Sequence, residues 1–163
     1  IVIKSINKLA NLSFINLIVK PTTGQTHKSG LHEEQGVLNK NNSPNIIFEK
    51  DTSSNELIEW SDVVINTISS IGIEALIQDK ILIHPQFFHE NKLIYSDLKA
   101  CWTVNSHEEI ESALKKINLE PNYKPYKSKD VKSFMDYVIY GGLSDKDVLG
   151  NYKEFILSKV NSN

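Results

Sequence analysis

The chain has 163 residues, 18 basic against 20 acidic side chains for a net charge of −2, and 40% hydrophobic residues. A single chain of this length can withdraw roughly 70% of its unfolded surface from water, so the balance fits one compact domain and excludes disordered and fibrous classes. Near-neutral charge without a lysine cluster excludes nucleic acid as a partner, and no apolar run approaches the ~20 residues that cross a bilayer.

Val2, Ile6, Leu9 and Ala10 recur at helical spacing and predict an opening helix. Phe14 to Val19 is a short apolar run stopped by Lys20 and Pro21, which reads as a strand buried on both faces. From Pro21 to Pro44 the sequence is polar and without period, a long loop. Asn45 to Phe48 is a second strand. Ser53 and Glu56 then form a capping box that opens a short helix through Leu57, Ile58 and Trp60. Asp62 to Ile65 is a third strand, Asn66 to Ser70 a polar turn, and Ile71 to Gln78 a largely buried helix. Ile81 to Ile83 is the fourth strand, ending in His84 and Pro85, and Cys101 to Val104 the fifth. Ser106 and Glu109 form another capping box ahead of Ile110, Ala113, Leu114 and Ile117. Val131, Phe134, Met135, Val138 and Ile139 mark a helix stopped by Gly141 and Gly142, and Val148, Leu149, Tyr152, Phe155, Ile156 and Val160 mark the last. Strands alternating with helices predict an α/β fold with a parallel sheet and right-handed crossovers.

In such a sheet ligands bind beyond the carboxyl ends of the strands. Thr67 to Glu74 (TISSIGIE) follows the third strand. There Ser69 and Ser70 would present hydroxyls beside unpaired N–H groups of a helix start, a place suited to phosphate. Gly72 would let a ligand or a neighbouring strand approach, and Glu74 would reach sugar hydroxyls. The plain alternative is that Ser69 or Ser70 caps a buried helix and Glu74 offsets its dipole. Lys20 would add an ammonium at the same rim. Thr22, Thr23, Gly24 and Gln25 would make an anion nest or an ordinary turn. His27, His32, His84 and His89 show no metal-ligand spacing and Cys101 is isolated, so no metal site is assigned. His84, at a strand end, is the strongest histidine candidate. The sequence contains no G-x-G-x-x-G, Walker A or G-x-S-x-G pattern.

The stretch from Asn45 to Ile83, with "SDVVI", the serine turn "TISS", "IGIEAL" and then a lysine and a strand, resembles the donor-binding half of GT-B glycosyltransferases of bacterial surface and capsular polysaccharide synthesis. The polyol-phosphate transferases of teichoic acid synthesis and the non-hydrolysing sugar-nucleotide epimerases are similar in architecture. The resemblance implies a Rossmann-like parallel sheet flanked by helices, with a C-terminal helical extension. It also implies donor phosphates held by Ser69, Ser70 and the Ile71 amide, with Thr67 and Gly72 beside them, and a ribose or sugar contact from Glu74. Lys20 and Pro21 match the start of a "KpHp" motif, in which Thr22 stands at the histidine position. Thr23, Gly24, His27 and His84 are secondary candidates.

Residues 1–163 are thus expected to form a single nucleotide-sugar-binding domain, a fragment that begins at Ile1 and lacks an N-terminal acceptor domain. The expected partners are a nucleotide sugar, that missing domain and a membrane-associated carbohydrate acceptor. No cofactor is implied besides the donor substrate, and turnover is expected only from the full-length protein. The lone Cys101 and the lack of a signal-peptide pattern suit a cytoplasmic location, peripheral at the inner face of the membrane. The alternatives are an epimerase-like domain on the same donor site, or a non-enzymatic α/β interaction domain.

Overall fold

The computed structural model describes residues 2–20, 45–142 and 147–160. Among these residues lie five strands, β1 (Leu17–Val19), β2 (Ile46–Phe48), β3 (Val63–Ile65), β4 (Ile81–Pro85) and β5 (Trp102–Val104). Seven helices accompany them: α1 (Val2–Ala10), α2 (Ser54–Trp60), α3 (Ile71–Ile77), α4 (Ile94–Asp97), α5 (His107–Leu119), α6 (Ser128–Tyr140) and α7 (Val148–Val160). The fold is α/β and Rossmann-like. β3, β4 and β5 form one parallel sheet with β4 at its centre, in register Val63 to Ile81 and Ile83 to Trp102, and β1 pairs with β2, also parallel.

β4 is buried at all five residues, and its alternation divides the core in two. Ile81 and Ile83 pack with Leu9 of α1 and with Ile110, Ala113 and Leu114 of α5. Leu82 points the other way, into Leu76 of α3, Tyr95 of α4, Cys101 and Phe134 of α6. Helices therefore cover both faces of the sheet, and each fully buried Leu or Ile contributes about 1.5–3 kcal/mol. A strand covered on both sides must be apolar throughout, which is why Ile-Leu-Ile reads as a continuous run.

The capping box at α2 closes with both arms, Glu56 N–H donating to Ser53 Oγ (3.2 Å) and Ser53 N–H to Glu56 Oε2 (3.2 Å). At α5 only one arm matches the expectation. Glu109 N–H donates to Ser106 Oγ, but the Glu109 carboxylate accepts from Asn105 N–H (2.7 Å), one residue earlier than a capping box requires. α6 ends at Gly141 with φ +60°, a left-handed cap that glycine adopts without steric penalty.

Several expectations are corrected. β1 starts at Leu17 instead of Phe14 and is half-buried instead of buried on both faces, while Phe14 and Ile15 pack against the α1–α5 core from the preceding turn. In α3 Gly72, Ala75 and Leu76 are buried, yet Ile77 is exposed. Between β4 and β5 the chain also forms the 3-10 turn Gln86–Phe88 and the short helix α4, which are too brief to show a period in the sequence. α7 is helical as expected but buries none of its residues, leaving Leu149, Tyr152 and Phe155 exposed. No helix among the described residues is long and apolar enough to cross a membrane.

Candidate functional site

The carboxyl ends of β3 and β4 meet around Asn66. Its N–H donates to Ile83 O, which continues the ladder by one residue, and its carbonyl accepts from His84 Nδ1–H (3.1 Å). Its side-chain Nδ2 donates to Ser69 O (2.9 Å), and Tyr95 O–H donates to the same carbonyl (3.1 Å). The turn from Asn66 to Ser70 is therefore fastened from behind by two buried side chains, while Ser69 and Ser70 stay exposed.

The amides expected to be free at this point are already used. Ile71 N–H donates to Ser69 Oγ (3.3 Å), Gly72 N–H to Ser69 O (3.5 Å) and Ile73 N–H to Ser70 O (2.8 Å). The hydroxyl pair is also split. Ser69 turns onto the chain, whereas Ser70, at the N-cap position in a right-handed helical conformation, makes no side-chain cap bond. The expected nest of open amides is corrected to a turn closed on itself with one outward hydroxyl. The following helix has only seven residues, so its dipole adds little to what Ser70 itself can do.

Gly72 has a different use from the one expected. A Cβ there would lie 2.8 Å from Asn66 Nδ2 and 3.0 Å from Tyr95 Cζ and Oη, so the residue admits two neighbouring side chains and leaves no space for a ligand. Tyr95 is itself stacked on Phe134 at 5.0 Å between ring centres. Burial raises the Tyr95 phenol above its ordinary pKa, with lesser contributions from Cys101 and from Glu74 nearby. Thr67 and Glu74 are half-buried beside the turn.

Lys20 does not reach this rim as a free cation. Its Nζ donates to Lys50 O (3.1 Å) and Thr52 O (2.6 Å), closing the turn after β2. In that turn Glu49 accepts from Asp51 and Thr52 N–H, bonds that hold its carboxyl below the usual range. An ammonium bound to two carbonyls near a carboxylate is a structural tie. Thr23, Gly24 and His27, with Pro21, Thr22, Gln25 and His32, lie outside the described residues.

His84, only 1% exposed, stands next to last in the central strand with its ring bonded to the Asn66 carbonyl. Burial lowers its pKa first of all, against the raising effect of the Asn66 bond, and His89 lowers it further. Neutral His84 keeps its proton on Nδ1, leaving a lone pair on Nε2. Asn66 and Tyr95, which mount the turn, were not singled out in the sequence. Tyr95 sits in a four-residue helix without a periodic pattern, so only its packing reveals it. At the opposite, amino end of β4, Tyr126 Oη accepts from Leu82 N–H (2.8 Å) and donates to Lys80 O (3.2 Å), in a shallow depression that also holds the Lys124–Asp79 ion pair (3.0 Å).

No family model matches the chain, and no solved structure gives a significant match. Among curated proteins, the ATP-dependent (S)-NAD(P)H-hydrate dehydratase of Entamoeba histolytica is 26% identical over 103 residues. The alignment covers 59% of this chain and spans 34% of the dehydratase. This similarity overturns the expectation of the nucleotide-sugar-binding half of a glycosyltransferase, because it runs to a different enzyme family, and it supports neither the epimerase-like reading nor a non-enzymatic interaction domain.

Proposed function

We propose that the chain is an adenosine-phosphate-binding part of an ATP-using enzyme, with the ligand seated on the Thr67–Glu74 turn. The name of the similar dehydratase joins ATP with a hydrated nicotinamide nucleotide, and both molecules contain adenosine 5′-diphosphate. In this reading Thr67 and the outward hydroxyl of Ser70 meet the phosphates beside the closed Ser69–Gly72 turn, and Glu74 accepts from the ribose hydroxyls. One observation carries the reading: a hydroxyl-bearing turn, fastened by Asn66 and Tyr95 through Ser69 O, stands at the sheet edge where open parallel sheets take ligands. Rigid mounting reduces the ordering cost of binding.

The test is a titration of the whole chain with ADP, ATP and NADH, read by amide shifts and calorimetry, with UDP as the comparison. Shared shifts at residues 67–74 are expected for the three adenosine ligands. Ser70→Ala should weaken them roughly tenfold or more, the value of one hydrogen bond to a charged group. Millimolar ADP that leaves residues 67–74 unmoved would overturn the proposal.

A further inference from the structure

Among the described residues, every buried side-chain nitrogen or oxygen without a hydrogen-bond partner lies in two rings: His84 Nε2, His89 Nδ1 and His89 Nε2. Buried polar atoms are nearly always paired, so three orphans in one place call for an explanation. Stacking does not supply it, since the ring planes are inclined by 43° with centres 5.2 Å apart.

We infer that His84 and His89 together bind a divalent transition ion of the zinc class at the carboxyl end of β4. Imidazole nitrogens bind such an ion at ~2.0–2.1 Å. With the metal then about 3.2 Å from each ring centre, a tetrahedral angle sets the centres about 5 Å apart, which the observed spacing matches. His84 has the supporting contact typical of a metal ligand, its other ring N–H donated to a backbone carbonyl, that of Asn66. His89 is held in place by its neighbour, Gln86 Nε2 donating to His89 O (3.3 Å) and Asn91 O (2.9 Å). Two nitrogen donors favour zinc, nickel or copper over magnesium or calcium. No group of three or more His, Cys, Asp or Glu gathers as a metal site among the described residues, so the site supplies two protein ligands and leaves the other positions to water or to a ligand's own donor atoms. A separation of five residues matches no helical ligand spacing. The strand end followed by the 3-10 turn Gln86–Phe88 is what brings the two rings together.

The inference stands apart from adenosine-phosphate binding and is tested without nucleotide. The whole chain is titrated with Zn2+ by calorimetry while imidazole nitrogen resonances are followed by NMR. One equivalent is expected to shift His84 Nε2 and one nitrogen of His89, and His89→Gln is expected to lower affinity roughly tenfold or more with its amide spectrum otherwise retained. His84→Asn provides the second variant where it folds, with the same expected loss. Zn2+ affinity unchanged in His89→Gln, or shifts confined to His27, His32 or His107, would overturn the inference.

Discussion

Replacing Gly72 by alanine tests how the candidate turn is built. An alanine in a helix interior is favoured over glycine by about 1 kcal/mol, so a freely exposed site would be stabilised. Here the added methyl would sit 2.8 Å from Asn66 Nδ2 and 3.0 Å from Tyr95 Cζ and Oη. Neither neighbour yields easily. Asn66 is buried, and the Tyr95 ring is held against Phe134. Overpacking of this kind costs about 1–3 kcal/mol, and displacing either side chain also weakens a bond to Ser69 O worth about 1 kcal/mol. The helix preference offsets only part of this, leaving a net loss of about 1–3 kcal/mol. In a chain of this size each kcal/mol moves Tm by about 2–4 °C, which thermal and urea unfolding followed by circular dichroism would resolve. In a Tyr95→Phe background one clashing atom is gone, so the same alanine should cost less, with a coupling of at least about 0.5 kcal/mol. Gly72→Ala that is neutral or stabilising would refute the packing role and restore an open first turn.

Tyr126→Phe removes the acceptor of Leu82 N–H and the donor to Lys80 O, so a loss of about 1–3 kcal/mol is expected in denaturant titration, and an unchanged midpoint would count against it. Burial pushes the Tyr126 phenol up to about 12. The native state therefore keeps its proton while the unfolded chain ionises near 10. Stability from this group is complete below about pH 10 and is lost as pH rises toward 12, a decline that Tyr126→Phe should reduce when unfolding is measured across that range. Burial also pushes the Cys101 thiol up, and Ser96 and Thr103 surround its sulfur. Thiol reagents should label native protein only as fast as it unfolds, and labelling complete on mixing would contradict the burial.

The sequence by itself determined the class of fold. Ile81-Leu82-Ile83 is uniformly apolar because a central parallel strand meets helices on both faces, and Ser53 with Glu56 marks a helix start because the cap is a bond between residues three apart. Such local rules act within one turn or one strand, and a sequence displays them directly. The condition of the candidate site was decided elsewhere in the chain. Whether the amides after Ser70 were free depended on how the turn closed, whether Gly72 faced a ligand depended on Tyr95 arriving from α4, and whether Lys20 was available depended on two carbonyls 30 and 32 residues away. The pairing of His84 with His89 likewise required the strand to end and the 3-10 turn to fold back. Side chains brought together by chain reversal leave no period in the sequence, so only the tertiary structure sets their partners and, with them, their chemistry.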